Sequence, residues 1–293
     1  MIHGTRVRRT AVATLTTGVV LSVPLLSVPA QAAAPTVTAR GAYMVDAGTG
    51  RALFSKGSTT KRSMASLTKV MTADVVLNAK GLNLSKKITI KQAYVDRIWQ
   101  KNASSAYLKV GDKLTVRQLL SAMLLPSGCD AAYALADTFG TGSTTAARTK
   151  SFVAKMNARA KTLGMTSTKY DSFDGISNGS NYSTPKDLTK LARDVLKSPT
   201  FKAVADDQSY VAKATASNGR IRTYTWYNTN KLLSTYRGAI GLKTGSGPAS
   251  GYCLMFAAKR GDRTITGVLL ASTSEKRFPD ATKLLDHAFR TAP

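Results

Sequence analysis

Segments with strand-like sequence lie near the two ends of the chain and enclose a middle with helical spacing, and this arrangement constrains the fold more than any other feature. Five short β-prone runs are recognised, at 42–46, 51–56, 239–245, 252–259 and 264–271. Residues 85–197 instead carry apolar residues at helical spacing, and a last amphipathic run covers 279–289. We expect an α/β protein of the α+β type, with an antiparallel sheet built from both chain ends, covered by helices, and a mostly helical second lobe over roughly 85–197. A site is expected in the cleft between the lobes.

Residues 1–32 have the features of a signal peptide. Three arginines precede an apolar run over 11–28, and the small-x-small tripeptide Ala30-Gln31-Ala32 follows it. Cleavage after Ala32 would leave a catalytic domain of residues 33–293, and a retained membrane anchor is the alternative. No later apolar stretch reaches the roughly 18 residues that a membrane helix needs. The sequence therefore predicts an exported protein, at the cell wall or the outer face of the cell membrane.

The chain is strongly basic. Its formal net charge is +26, and loss of the three arginines in the leader lowers this to +23. Such a surface attracts anionic lipid headgroups, anionic wall polymers or nucleic acid. Lysine and arginine are spread along the chain, without a long basic block or a nucleic-acid motif. We expect peripheral attachment to anionic membrane or wall polymers and no nucleic-acid partner, with a purely solubilising role as the alternative.

Cysteine and histidine are scarce. Cys129 and Cys253 are the two cysteines of the sequence, and His287 is the histidine that remains after the leader. This count excludes a structural zinc site and a disulfide-rich scaffold, and no metal or cofactor is expected. His287 lies in the terminal amphipathic run, where a packing role is expected, so any serine chemistry needs another base. Whether the two cysteines pair is left open.

Ser66-Leu67-Thr68-Lys69 opens a helical run predicted over 66–79. Residues three apart on a helix share one face, so Lys69 can stand beside the Ser66 hydroxyl. The helix N-terminus favours a serine alkoxide, and a buried lysine with a lowered pKa can act as its base. Taken alone the pattern is weak, because serine is also a common helix cap and lysine a common surface residue.

Two further motifs give this pattern its context. Ser127-Gly128-Cys129 lies on a turn between two helical runs, and Lys243-Thr244-Gly245 ends a strand-like run. In this order the three elements resemble the signature of penicillin-binding proteins and serine β-lactamases. The chain is most similar to the low-molecular-mass serine DD-peptidases, above all the short actinomycete DD-transpeptidase type with Ser-Gly-Cys in the second motif. Other matching segments are Tyr182-Ser183-Thr184, Gly251-Tyr252 and Arg277-Phe278.

The resemblance implies a serine β-lactamase/DD-peptidase-like fold and a role for each residue. Ser66 would attack the penultimate D-Ala of a peptidoglycan stem peptide ending in D-Ala-D-Ala, with Lys69 as base. Ser127, with Lys243, would pass a proton to the departing D-Ala. The backbone N–H groups of Ser66 and Ser246 would form the oxyanion hole. The remaining substrate-binding residues implied are Cys129, Thr244, Gly245 and Arg277.

The resemblance also implies partners and leaves alternatives. The acyl-enzyme would pass its peptide to an amine acceptor (transpeptidation) or to water (carboxypeptidation), and β-lactam antibiotics would trap Ser66. Cys129 departs from the more usual asparagine, which puts efficient hydrolysis and strong penicillin sensitivity in doubt; a Cys129 nucleophile is a minor alternative. The chain stops at Pro293 without the C-terminal β-domain of many carboxypeptidases, and with Cys129 this favours transpeptidation.

Three rival functions stay open at this point. A β-lactamase of this type carries a glutamate in the helical lobe, whereas the acids between Ser127 and Lys243 are all aspartates. A non-catalytic penicillin-sensing module would have kept the fold without turnover. A polyanion-binding protein would show binding that salt abolishes and would form no acyl-enzyme.

Overall fold

The computed structural model describes residues 1–5, 10–11 and 34–291. The chain divides into two units, Met1–Ala32 and Ala33–Pro293. The arginines, the apolar run beyond Ala11 and the cleavage site of the predicted signal peptide lie outside the described residues. None of the helices in the described ranges is both long and apolar enough to cross a membrane.

All the elements below belong to the second unit. The strands are β1 (Gly41–Asp46), β2 (Ala52–Lys56), β3 (Lys87–Thr89), β4 (Lys113–Thr115), β5 (Ser209–Thr215), β6 (Ile221–Tyr227), β7 (Ala239–Gly247), β8 (Gly251–Arg260) and β9 (Arg263–Ser272). The helices are α1 (Thr68–Leu77), α2 (Gln92–Lys101), α3 (Val116–Leu124), α4 (Cys129–Phe139), α5 (Thr145–Thr162), α6 (Pro185–Val195), α7 (Pro199–Asp206), α8 (Leu232–Thr235) and α9 (Arg277–Thr291). A single 3-10 turn, Ala65–Leu67, leads into α1.

The five strands from the two chain ends form one antiparallel sheet in the order β2-β1-β9-β8-β7. Side chains along β8 alternate between its faces. Leu254 and Phe256 pack in the core under α8 and α9, whereas Cys253 and Met255 pack in the larger core with the other helices. The sheet is therefore covered by helices on both faces, as the strand-like runs of the sequence predicted.

The second lobe is mostly helical, as predicted, and it also contains a sheet that the sequence did not predict. The sheet has the order β3-β4-β5-β6, and its hairpin β5–β6 follows the predicted limit of the lobe. The buried face of β5 is formed by Ala212 and Ala214. Alanine is a poor strand former, so the alternation that marks a strand is weak here and the hairpin was not predicted.

Helix α1 runs through the middle of the larger core. Eight of its ten residues are buried, which is the pattern of a helix surrounded by protein on all sides. Its N-terminus points to the edge of the sheet formed by β7, and it carries the first motif into the interior.

Candidate active site

A cavity of about 560 Å³ lies between β7, the start of α1 and the turn before α4. Seven of the predicted site residues line it, namely Ser66, Ser127, Cys129, Thr244, Gly245, Ser246 and Arg277. Lys69 and Lys243 lie beneath its surface, with 0% and 1% of their area exposed. The structure thus brings all nine predicted residues to one place, from segments far apart in the sequence.

The turn that carries Ser66 has a constrained backbone. Ala65 has a φ of 47°, a left-handed conformation that costs on the order of 1–3 kcal/mol for a residue with a side chain. Gly175, itself at a φ of +93°, packs so closely on this turn that a Cβ there would lie 2.2 Å from the Ala65 carbonyl oxygen. The 3-10 turn is therefore held from outside, which places Ser66 at the mouth of α1 rather than in a continuous helix.

Lys69 occupies a fully bonded position below Ser66. Its Nζ lies 2.9 Å from Ser66 Oγ, 2.7 Å from the Asp174 carbonyl oxygen and 3.3 Å from Cys129 Sγ. An amine has at most three donors and, when neutral, two donors and one lone pair. Three partners therefore satisfy it completely, and one of them is the nucleophile hydroxyl.

Asp174 is in turn held by an arginine. Arg97 Nε and Nη2 lie 2.7 and 3.1 Å from the two carboxylate oxygens of Asp174, whose side chain is fully buried. The guanidinium also lies 4.9 Å from the ring centre of Phe173. This two-point pairing fixes the loop that presents the Asp174 carbonyl to Lys69.

The second motif forms a strained turn between α3 and α4. Ser127 has a φ of 67°, and its buried Oγ has no hydrogen-bond partner among the described residues. Ser104 fastens this turn, because its Oγ donates to the Ser127 carbonyl at 2.6 Å and its own carbonyl accepts from the Cys129 amide at 2.9 Å. The Ser127 hydroxyl is thus positioned by the backbone while its own bonding capacity is unused.

The third motif is presented by β7. Lys243 Nζ donates to the Thr244 carbonyl at 3.1 Å, and burial, with the nearby positive charge of Lys69, lowers the pKa of Lys243 well below its ordinary value. Thr244 Oγ1 lies 2.6 Å from Thr229 Oγ1. A Cβ at Gly245 would stand 3.3 Å from the Ser66 amide nitrogen. Glycine at this position therefore lets the strand pass close beside the nucleophile N–H.

Arg277 begins α9 at the rim of the cavity. Its Nη1 lies 3.4 Å from the Gly245 carbonyl oxygen, and the guanidinium lies 5.2 Å from the ring centre of Tyr252. Within the described part of the chain no carboxylate pairs with it. Burial lowers the pKa of Arg277, as expected for a cation whose charge is not compensated.

The scarce cysteines and histidine can now be placed. Cys129 and Cys253 are both buried and free, so the pairing left open by the sequence does not occur. Burial raises the pKa of the Cys253 thiol to about 11. His287 lies in α9 and does not line the cavity. Among the residues described, no cluster of His, Cys, Asp or Glu could hold a metal ion.

Sequence reasoning missed four residues that support the site. They are Arg97, Ser104, Asp174 and Thr229. Ser104, Asp174 and Thr229 each contact a motif residue that is distant along the chain, and Ser104 and Asp174 do so through a backbone carbonyl. Arg97 acts on Asp174. A carbonyl is present at every residue, so no sequence signal marks Asp174 or Ser104 for this use.

Comparison with protein families matches residues 28–274 to the D-alanyl-D-alanine carboxypeptidase model. The chain belongs to the D-alanyl-D-alanine carboxypeptidase family. Enzymes of this family are serine hydrolases, so the predicted family and enzyme class are confirmed.

The carboxypeptidase family members that match differ in length. The chain is 53% identical to the D-alanyl-D-alanine carboxypeptidase of Streptomyces sp. (strain K15), over 97% of this chain and 99% of that protein. It is 32% identical to the D-alanyl-D-alanine carboxypeptidase DacF of Bacillus subtilis, over 86% of this chain but 62% of that protein.

Solved structures of the carboxypeptidase family show the same fold. The crystal structure of the Streptomyces K15 DD-transpeptidase matches with a TM-score of 0.86 and 56% identity, over 87% of this chain and 98% of that one. A Mycobacterium tuberculosis D-alanyl-D-alanine carboxypeptidase matches with a TM-score of 0.79 and 30% identity, over 90% and 96%. The predicted serine β-lactamase/DD-peptidase-like α+β fold is confirmed.

Proposed function

We propose that this chain is a serine-type DD-peptidase that acts on peptidoglycan stem peptides ending in D-Ala-D-Ala, through an acyl-enzyme on Ser66. The observation that carries the proposal is the 2.9 Å contact between Lys69 Nζ and Ser66 Oγ, at the floor of a cavity that the other two motifs also line. A nucleophile and a base within hydrogen-bond reach, with the base fixed by further partners, are the signature of covalent catalysis.

In the acylation step Lys69 acts in its neutral form. Its lone pair takes the Ser66 proton, while its two N–H groups stay on the Asp174 carbonyl and Cys129 Sγ. Ser66 Oγ then bonds to the carbonyl carbon of the penultimate D-Ala.

The bond from that carbon to the last D-Ala breaks next, and the leaving amine needs a proton. Ser127 and Lys243 supply it, since the Ser127 hydroxyl has no other described partner and Lys243 binds its proton weakly. The negative oxygen formed during attack lies between the backbone N–H groups of Ser66 and Ser246. Thr244 and Arg277, which has no carboxylate partner in the described chain, bind the terminal carboxylate of the substrate.

An amine is the preferred acceptor of the acyl group in this proposal, so the main reaction is transpeptidation. The support is Cys129, which is 2% exposed and touches Lys69 through sulfur. A thiol is a weak hydrogen-bond partner, so it holds a hydrolytic water poorly beside the acyl ester. Incubation of a short D-Ala-D-Ala peptide with and without an amine acceptor tests this. Release of D-Ala mainly with hydrolysed peptide, in the presence of the amine, would make carboxypeptidation the main reaction.

A β-lactamase is not favoured. Asp174, whose backbone carbonyl accepts from Lys69, is paired through both carboxylate oxygens with Arg97. That carboxylate is not free to activate a water for rapid release of a penicilloyl group.

Export and attachment to the envelope complete the proposal. The enzyme works outside the cytoplasm, where its substrate lies, and the net charge of +23 that remains after loss of the three leader arginines supports peripheral attachment to anionic wall polymers or lipids.

The mass of the intact protein after exposure to benzylpenicillin tests the acyl-enzyme. We expect one penicilloyl adduct on the parent enzyme, none on Ser66→Ala, and an undiminished adduct on Ser63→Ala, whose serine lines the same cavity. An adduct that survives in Ser66→Ala would assign the nucleophile elsewhere. If no adduct forms, prolonged incubation with a D-Ala-D-Ala peptide separates a non-catalytic relative from an enzyme that excludes the drug.

A further inference from the structure

A second, larger cavity of about 890 Å³ lies at the other end of the five-stranded sheet. It is bounded by the β1–β2 turn, the α6–α7 junction, the start of β7 and the β8–β9 turn. Strand β7 connects the two cavities, because Ile240 lines this one and Gly247 lines the active site. At about 3.3 Å per residue, Ile240 lies roughly 23 Å along the strand from Gly247 and about 13 Å from Thr244, the nearest residue of β7 that lines the active site.

Basic side chains dominate the lining of this cavity, which we call the basal cavity. Its cationic residues are Arg51, Arg193, Lys197, Lys202, Lys259 and Arg263. Two carboxylates are present, Asp46 and Asp262. One oxygen of Asp46 is already occupied, since it accepts from the amides of Gly48 and Thr49 at 3.1 and 3.0 Å. The cavity therefore carries an excess of positive charge.

Arg193 is a fixed part of the wall. Its Nε donates to the Ala47 carbonyl at 3.0 Å and its Nη2 to the Gly48 carbonyl at 3.2 Å. These acceptors are neutral, so they orient the guanidinium without cancelling its charge. A Cβ at Gly50 would lie 2.6 Å from Arg193 Nη1, so the turn leaves room for the guanidinium by having glycine there.

Three other cations of the basal cavity have no counter-charge. Arg51, Lys202 and Lys259 are exposed and form no ion pair within the described residues. Holding several like charges around one concavity is unfavourable unless a polyanion or its counterions occupy it, and the concave shape strengthens the field inside.

We propose that the basal cavity binds a polymer with repeated phosphodiester groups and so holds the enzyme on an anionic wall polymer. The positive charges line a concave space within the 300–1,000 Å³ range, roughly, of ligand sites, which suits a chain segment better than a flat bilayer. None of the strongly exposed large hydrophobic side chains of the described residues lines this cavity, whereas insertion into a bilayer uses such side chains. A polymer held here leaves the active-site cavity open, because the two lie at opposite ends of β7.

Binding of a labelled glycerol phosphate oligomer, measured over a range of salt concentrations, tests the proposal. The variant Arg51→Gln/Lys202→Gln/Lys259→Gln removes the three unpaired cations of the basal cavity. The control Lys80→Gln/Lys86→Gln/Lys150→Gln removes the same charge from exposed lysines elsewhere, none of which has a described side-chain partner. By the counterion-release rule for single strands, loss of three phosphate contacts should lower the slope of log K against log salt by about 2. We expect affinity to fall by about thirtyfold or more in the cavity variant and by about threefold or less in the control.

Equal weakening of the two variants would overturn the proposal in favour of net charge alone. Failure of the parent protein to bind the oligomer would also overturn it. If the parent protein instead bound phosphatidylglycerol vesicles, and the cavity variant bound them more weakly, the basal cavity would be a membrane site. Thermal unfolding of both variants checks that they are folded, without reference to catalysis. The penicilloyl adduct is expected to form equally in both, so failure of the acyl-enzyme proposal would not be mistaken for failure of this one.

Discussion

The two halves of the active site, each with one serine and one buried lysine, differ in how completely their polar groups are bonded. In the Ser66–Lys69 half, Lys69 has three partners and Ser66 Oγ is one of them. In the Ser127–Lys243 half, Lys243 has one hydrogen-bond acceptor among the described residues, the neighbouring Thr244 carbonyl, and the Ser127 hydroxyl has no partner there. Buried polar groups without partners cost about 1–3 kcal/mol each. The difference indicates that the first half is complete in the free enzyme, whereas the second is stabilised only when a substrate arrives.

The first prediction tests whether Lys69 is both structural and catalytic. In Lys69→Met the buried Asp174 carbonyl loses its donor and Ser66 Oγ loses its partner, so we expect the free energy of unfolding to fall by about 1–3 kcal/mol. The acylation rate should fall by about 10⁴-fold, the upper end for loss of a general base. Urea unfolding and the rate of penicilloyl adduct formation measure the two effects. An unchanged free energy of unfolding would mean that the polar groups of the Ser66–Lys69 half do not depend on Lys69 for their hydrogen bonds.

The second prediction concerns Lys243, whose replacement should lower the acylation rate but raise the free energy of unfolding. Lys243→Met should slow acylation by about 10³-fold, because a proton donor to the leaving group is lost. The same substitution should raise the stability at neutral pH, because it removes a buried amine whose pKa is lowered by burial and by Lys69. A loss of stability comparable to that of Lys69→Met would contradict the comparison between the halves.

The pH dependence of the stability gained in Lys243→Met follows from the lowered pKa of Lys243. The unfolded chain binds a proton at Lys243 up to the ordinary lysine pKa of about 10.4, whereas the folded protein releases it at a lower pH. Parent stability therefore rises with pH through this window, and the penalty is largest below the folded-state pKa. The advantage of Lys243→Met should shrink as pH approaches about 10.4, which urea unfolding at a series of pH values can follow.

The same contrast explains which features the sequence could predict. The strands of the large sheet and the motif on β7 were predictable, because alternation and bounding glycines are local signals. The split of the predicted helix at 66–79 was not, since the left-handed φ of Ala65 depends on the packing of Gly175 against it. The hydrogen bonds of Lys69 could not be predicted either, because the shortest of them is to a carbonyl over a hundred residues away.

The fully bonded half thus depends on tertiary contacts that no motif records. The second half shows the opposite, since Ser127 and Lys243 are motif residues and their side-chain polar groups have few partners among the described residues. Sequence patterns identify groups that act directly on a substrate more readily than the groups that hold them in place.

The third prediction tests whether the unbonded Ser127 hydroxyl is reserved for substrate. Ser127→Ala removes a buried hydroxyl without a described partner, so stability should stay within about 0.5 kcal/mol of the parent or rise. Release of D-Ala from a D-Ala-D-Ala peptide should slow by about 10²-fold, with kcat more affected than KM. A matched loss of stability would show that the hydroxyl has a structural partner in solution.

The last and smallest effect is expected for Arg97, which we regard as a positioning residue of the bonded half. Arg97→Gln breaks the two-point pairing with Asp174, so the carbonyl that receives the Lys69 N–H loses its anchor. A displacement of well under 1 Å at Lys69 is enough to slow acylation by about tenfold. Arg97→Lys keeps one charged hydrogen bond but not the planar fork, and should recover part of the rate.

A matched control separates positioning from general stability. Arg222, on β6, pairs at 2.7 Å with the buried Asp112, which directly precedes β4. Neither residue lines the active-site cavity. Arg222→Gln should therefore lower the melting temperature about as much as Arg97→Gln while leaving acylation unchanged. If both variants slowed acylation equally, the Arg97–Asp174 pair would be an ordinary stabilising ion pair. If Arg97→Gln alone slowed acylation, the geometry of the Ser66–Lys69 half would depend on a contact that lies outside all three motifs.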